Sequence, residues 1–378
     1  MLAKAEVKAG KLALGWRNEA GPAEVSQFWL RDHCTCPTCL HPDTKQRQVD
    51  TFAIPADIAA RRVELAENGR QLVVEWAADG HVSRFDAAQL AAWLRGDHAE
   101  EPARVLWDQA RIAAAVPQVA YEAVMAGERG VQEWLEKIER YGFCFVEGTP
   151  ATPEATQAVA RRVTYTRETI FGGYWDFTAN MEHKDTAYTT MAVGPHTDGT
   201  YSFDAPGYQM FHCLAFEGEG GDSVFVDAFK VADMLKRESP ELYRALTEIE
   251  VTGQYIDDEK GIHLMATRPA LRLDSAGRLV QVSFNNLDRA PMALPAERTD
   301  LFYRAYGAFA RLANDRRLQY RRRLAPGSLV LFDNWRLLHA RDAYSGYRRL
   351  AGVYLNKEDV ESRLRALRLK AGAQASAA

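Results

Sequence analysis

Two groups of residues in this 378-residue chain have the types and spacing of metal ligands. Cys34, Cys36 and Cys39 fall within six residues, and His81 follows a turn signal at Asp79-Gly80. Three thiolates and one imidazole complete the tetrahedron zinc prefers and leave no position for substrate, so a structural zinc site is expected. His33 and His41 rival His81, but either would require one short loop to wrap the ion alone. His81 can close the site between two strands. The second group is His196-Thr197-Asp198 with a distant His339. Alternate residues of a strand share a face, so His-x-Asp presents an imidazole beside a carboxylate. With His339 they make a two-histidine, one-carboxylate face that leaves three positions of a ferrous ion open, as oxygen activation requires.

A lone His-x-Asp arises often by chance, and the later residues give it weight. Arg348, nine residues after His339 in Ser345-Gly346-Tyr347-Arg348-Arg349-Leu350, can hold the distal carboxylate of a dicarboxylic keto acid with a bidentate fork. Ser223 could add a hydroxyl to the same carboxylate. This order is the one expected of an oxygenase that uses iron(II), 2-oxoglutarate and O2. A non-catalytic binding or sensor protein is the rival reading, and loss of a facial ligand would favour it. A zinc hydrolase would need an open zinc with a base beside it, which the Cys34, Cys36, Cys39 and His81 set does not provide.

These residues need strands to position them. Residues 1–100 read as a small β-rich unit of short apolar stretches separated by turns, with one helix, DAAQLAAWLRG, ending at Gly96. Residues 101–125 read as a connector. A second domain is expected over 126–365, opening with the amphipathic helix VQEWLEKIERYG and the apolar strand FCFVEG, and 366–378 as a frayed tail. Many short strands with peripheral helices predict a mainly β fold, a double-sheet sandwich or jelly roll rather than βαβ units. Composition agrees with a globular chain, at 47% hydrophobic and 26% charged residues. Lys and Arg number 47 against 51 Asp and Glu, so no basic excess exists to grip nucleic acid or an anionic membrane. No apolar run reaches a membrane span, and the first residues lack a signal-peptide core. Five cysteines, three of them clustered, suit a metal in a reducing compartment better than disulfides, and a cytoplasmic protein is expected.

The motifs together resemble the trimethyllysine dioxygenase and gamma-butyrobetaine dioxygenase family. They are FWLRDHC with its cysteine cluster, RETIFGGYWDF (167–177), DTAYTT (185–190), HTDGTY (196–201) and FHCL (211–214). GGDSVFVDAF (220–229), FNNLDRA (284–290), DNWRLLHAR (333–341) and SGYRRLAGVYL (345–355) complete them. The resemblance implies a zinc-bearing N-terminal domain, a double-stranded β-helix catalytic core and a homodimer. It places iron on His196, Asp198 and His339, and 2-oxoglutarate on Arg348 with Ser223. It also implies a trimethylammonium substrate: trimethyllysine, gamma-butyrobetaine or the phosphonate analogue 2-(trimethylammonio)ethylphosphonate. A quaternary ammonium offers no proton to a hydrogen bond and is held by aromatic faces. The family's cage falls on Phe171, Trp175 and Tyr188, with Tyr354 a further candidate. Phe171 replaces a usual tyrosine, and Gly199 stands where butyrobetaine enzymes tend to carry tyrosine, leaving Tyr201 as the nearest replacement. Asp185, Asn285, Asn286, Asp288 and Arg289 are the candidates for the substrate's polar end, although Asp288 and Arg289 could instead pair with each other.

Overall fold

A computed structural model describes residues 1–17, 21–96, 104–178 and 189–377. They fall into two compact units, Met1–Glu101 and Pro102–Ala378. In the first, β1 (Leu2–Lys8), β2 (Lys11–Trp16) and β3 (Ala23–Ser26) form one antiparallel sheet, and β4 (Ala60–Ala66), β5 (Gln71–Trp76) and β6 (Val82–Asp86) another. Alternate residues of β2 and β5, among them Leu12, Leu14, Leu72, Val74 and Trp76, build a shared core. Asp86 caps the helix Ala87–Arg95 by accepting from the Ala88 and Gln89 N–H groups, and Gly96 ends it in the left-handed region.

The second unit carries β7 (Gln118–Ala120), β8 (Phe143–Glu147), β9 (Trp175–Phe177), β10 (Val193–His196), β11 (Tyr208–Gly220), β12 (Ser223–Asp227), β13 (Glu250–Asp257) and β14 (Ile262–Pro269). It continues with β15 (Leu271–Leu273), β16 (Leu279–Val282), β17 (Gln319–Arg322), β18 (Leu329–Asp333), β19 (Leu337–Arg341) and β20 (Tyr344–Leu355). Six strands form one sheet in the order β7-β8-β18-β11-β20-β9, and four form another in the order β10-β19-β12-β17. Strand periodicity explains why the sheets stack. Phe143, Phe145, Val330 and Phe332 meet Phe225 and Leu337 of the smaller sheet, while Cys144, Val146, Leu329 and Leu331 face the opposite way. That outer face is covered by the helices Glu128–Tyr141, Pro153–Val163 and Lys357–Ala377. The helices Ala228–Glu238, Pro240–Glu248 and Ala296–Ala313 cover the smaller sheet. The architecture is the expected jelly roll with peripheral helices. No helix among the described residues is long and apolar enough to cross a membrane.

Two boundaries differ from the sequence expectation. The segment read as a connector belongs to the second unit: β7 pairs in parallel with β8, and Trp107, Ile112, Val119 and Val124 are buried in its cores. Its charged start and Pro117 gave a linker-like reading that the buried side chains override. The tail expected to fray continues the last helix to Ala377, since its Ala, Leu, Lys and Arg residues are strong helix formers.

One buried ion pair ties these pieces together. Arg336, only 1% exposed, donates to both oxygens of Asp227 at 3.2 and 2.8 Å. Its remaining N–H groups reach the carbonyls of Val105 at 2.7 Å and Arg140 at 3.0 Å. Asp227 also accepts from the Trp107 and Phe229 N–H groups. Removing the cation would leave an unpaired carboxylate in the core, so Arg336→Ala is expected to destabilise this unit by about 3–5 kcal/mol. The urea midpoint of unfolding reads this loss. Arg336→Lys should recover only part of it, because an ammonium cannot span the same acceptors.

Candidate active site

The antiparallel register of β10 and β19 sets His196 directly opposite His339. Their rings lie 4.2 Å apart between centroids. Asp198, just beyond β10, turns Oδ1 toward both, 3.2 Å from His196 Nε2 and 3.6 Å from His339 Nε2. The three ligand atoms lie within 4.8 Å of one another. His196 Nδ1–H donates to the Gly194 carbonyl at 2.8 Å, which directs the Nε2 lone pair at the cluster. Asn334 fixes the backbone of Asp198 from both sides, accepting from its N–H at 2.9 Å and donating to its carbonyl at 3.1 Å.

The electrostatics suit a cation. Burial alone would raise the Asp198 carboxyl, but His339, His196 and the Tyr354 hydroxyl hold it well below the usual carboxylate range. Burial and the adjacent His196 push His339 down to about 3, so its imidazole is neutral and able to ligate. Burial opposes charge on His196 too, yet Asp198 outweighs it and raises the group. Two imidazoles and one carboxylate on a single face fit iron(II) by their chemistry.

The cluster opens into a cavity of about 340 Å³. Arg348 lines it, buried beside the Tyr344 ring, and burial with the neighbouring Arg341 lowers its guanidinium to about 10, still charged at neutral pH. Ser223 also lines the cavity, and the β12–β19 register sets it opposite Arg341. Strand alternation separates Arg348 from Arg349, which points outward and grips Asp176 with bonds of 2.7–3.1 Å. The aromatic part of the wall comprises Phe171, Phe177, Tyr201, Phe211, Tyr255 and Tyr354. Tyr255 lies 5.2 Å from Tyr201 and 6.2 Å from Phe171 between ring centroids.

Several expected residues sit elsewhere. Trp175 does not line the cavity: it is 3% exposed, stacked on Phe177 at 4.5 Å and slotted over Gly352, where an added Cβ would come within 2.1 Å of the indole. The β9–β20 register that pairs Trp175 with Gly352 puts Phe177, two residues along, at the wall instead. Arg289 turns away to the aromatic rings of Tyr303, Phe302 and Tyr306, 5.2–5.8 Å away, and donates to the exposed Asn286. It is neither a wall residue nor the partner of Asp288. Asp288 does line the cavity and accepts from Asn285 Nδ2 at 2.7 Å. Tyr354 reaches the wall, but its hydroxyl donates to Asp198 Oδ2 at 2.7 Å. Gly199 has φ +70°, and a Cβ there would meet Pro206 at 2.5 Å, so no tyrosine could replace it without moving the loop. Asp185 and Tyr188 lie outside the described residues. Sequence reasoning missed Tyr255, Phe211 and Gln209. Tyr255 reaches the wall because Gly253 brings the β13–β14 hairpin against the backbone of Thr200 and Tyr201, a long-range approach with no local signature. Gln209 and Phe211 share a strand face, so their alternation along β11 was the available signal.

The N-terminal unit brings its own cluster together. His81 Nε2 lies 3.3 Å from Cys34 Sγ and 3.6 Å from both Cys36 and Cys39 Sγ. A tetrahedron with the usual zinc bond lengths has sulfur–nitrogen edges of about 3.5 Å, so the four atoms could hold zinc. Asp79 accepts from the His81 backbone N–H and from Arg31, which also donates to Cys39 Sγ. Burial raises the Cys34 thiol to about 11; at Cys36 burial opposes ionisation, but hydrogen bonds, Thr38 foremost, bring it down to about 7. His33 stacks on Trp29 at 4.3 Å and His41 accepts from the Asp43 and Thr44 N–H groups, so neither reaches the thiols.

Each unit matches a known family. Residues 107–354 match the taurine catabolism dioxygenase TauD, TfdA family, and residues 3–91 match the gamma-butyrobetaine hydroxylase-like N-terminal family. The chain is 34% identical to trimethyllysine dioxygenase of Meyerozyma guilliermondii, over 97% of this chain and 96% of that one. It is 35% identical to the mitochondrial trimethyllysine dioxygenase of Homo sapiens, over 91% and 82%. It is 33% identical to gamma-butyrobetaine dioxygenase of Pseudomonas sp. (strain AK-1), over 96% and 95%. The chain belongs to the TauD, TfdA family of iron(II)- and 2-oxoglutarate-dependent dioxygenases, within its trimethyllysine and gamma-butyrobetaine dioxygenase group.

Proposed function

We propose that this dioxygenase hydroxylates an unactivated C–H bond of a small trimethylammonium compound, with trimethyllysine the substrate its cavity favours. The carrying observation is that one cavity joins the His196, Asp198 and His339 face, the buried Arg348 and a wall of six aromatic residues. His196, Asp198 and His339 would hold iron(II), and Arg348 with Ser223 the distal carboxylate of 2-oxoglutarate. Held there, iron(II) and 2-oxoglutarate would supply, with O2, the oxidising power for hydroxylation, with succinate and CO2 as the co-products. The protein's part is placement and exclusion of water. Phe171, Tyr201 and Tyr255 offer faces to a trimethylammonium group, and the apolar wall keeps its neighbouring C–H bonds dry.

Charge decides among the substrates. Asp288, held by Asn285 at the cavity wall, attracts the α-ammonium of trimethyllysine and opposes a lone carboxylate or phosphonate. Relatives named trimethyllysine dioxygenase support the same choice.

Succinate release with trimethyllysine, lysine, gamma-butyrobetaine and the phosphonate analogue tests the reading. Trimethyllysine should be turned over best, and lysine should bind more weakly by about 1–3 kcal/mol, roughly 5- to 150-fold. Equal use of lysine and trimethyllysine would end the assignment. For the co-substrate, Arg348→Lys should raise the KM for 2-oxoglutarate by roughly 10- to 100-fold, because an ammonium cannot form the paired bonds of a guanidinium. Arg349→Ala, which breaks only the outward pair with Asp176, should leave that KM nearly unchanged.

A further inference from the structure

Tyr354 connects the aromatic wall to the metal-ligand face. Its hydroxyl donates to Asp198 Oδ2 at 2.7 Å, whereas Oδ1 of the same carboxylate faces the two imidazole nitrogens at 3.2 and 3.6 Å. The two oxygens therefore have different partners. Gln209 sits directly across the β11–β20 ladder from Tyr354 and donates its Nε2–H to the Tyr354 hydroxyl at 3.3 Å. Gln209, a cavity-wall residue only 2% exposed, directs its Nε2–H at Tyr354, while its Oε1 has no partner among the described residues. The result is a directed chain, Gln209 N–H to Tyr354 O–H to Asp198 Oδ2, whose members polarise one another. The Tyr354 ring is itself wedged against Trp175, 5.6 Å between centroids.

We propose that Tyr354 is a positioning residue for the metal carboxylate: its hydroxyl, aimed by Gln209, holds Oδ2 so that Asp198 offers only Oδ1 to the ion. This rests on the reading of His196, Asp198 and His339 as the iron site. A carboxylate can ligate through one oxygen or both. Bound through both, Asp198 would occupy one of the positions that 2-oxoglutarate and O2 need. Asn334 fixes the aspartate's backbone, and Tyr354 fixes the remaining side-chain rotation. A phenylalanine at 354 would keep an aromatic ring at the wall and lose the hydroxyl's bonds to Asp198 and from Gln209.

The test is anaerobic titration of the full-length apoprotein with ferrous ion, together with the KM for trimethyllysine. Tyr354→Phe should weaken iron binding by about 10- to 100-fold, the usual loss when a ligand's hydrogen-bond partner is removed. Its KM for trimethyllysine, measured at saturating iron, should change by a smaller factor than its iron affinity. Gln209→Leu should weaken iron binding in the same direction but less. The double variant should be no worse than Tyr354→Phe alone, because both act through one chain. Unchanged iron affinity in Tyr354→Phe, with the KM for trimethyllysine raised instead, would overturn the inference and return Tyr354 to the substrate wall. A wild-type protein that binds no ferrous ion would overturn the iron reading and this inference with it, which separates the two failures.

Discussion

The site hangs on the end of β18 and the three-residue turn that joins it to β19, held by a guanidinium buried against Asp227. Every residue of Asp333-Asn334-Trp335-Arg336 is tied to a different part of the unit. Asp333 accepts from Lys357 at the start of the last helix, and Trp335 donates to the Ala205 carbonyl. Asn334 grips Asp198, and Arg336 gathers Asp227 and the carbonyls of Val105 and Arg140. His339 follows three residues later on β19. One turn thus places two of the three facial ligands, and the strand register opposes the third, His196, to His339. Burying an ion pair costs desolvation that a hydrophobic substitute would avoid. Here that cost coincides with a fixed position for the ligand-bearing turn.

Two kinds of metal chemistry are kept apart by ligand type and openness. Cys34, Cys36, Cys39 and His81 saturate a tetrahedron, so an ion there could contribute only to folding. His196, Asp198 and His339 occupy one face and leave the other toward a cavity. Around that cavity the charge is divided. Arg348 and Arg341 gather near Ser223, while Asp288 lies with Asn285 and the aromatic rings of Phe171, Tyr201 and Tyr255 form another part of the wall. The chamber therefore presents surfaces of opposite charge character.

Much of this was legible in the sequence because the residues involved announce themselves by spacing. Three clustered cysteines, His-x-Asp and the order of His339 and Arg348 needed only strand alternation to become a spatial claim. What the sequence could not carry was long-range register. Trp175 and Phe177 are both plausible wall residues, and only the pairing of β9 with β20 over Gly352 decides that Phe177 takes the wall. Asp288 and Arg289 are adjacent acid and base, and the helix Ala296–Ala313 draws the arginine to its aromatic rings. Tyr255 arrives on a hairpin brought close by Gly253, with no motif to mark it. Residues 101–125 read as a connector because the buried Trp107 and Ile112 among them are too sparse to show a period.

The central claim is that His196, Asp198 and His339 hold iron(II) with 2-oxoglutarate beside it in the same cavity. Anaerobic addition of ferrous ion and then 2-oxoglutarate tests it most directly, because a 2-oxo acid chelated to ferrous ion produces a visible charge-transfer absorption. The wild-type protein should develop that absorption with one equivalent of iron, and His196→Ala should not. No absorption in the wild type, or an undiminished one in His196→Ala, would contradict the account.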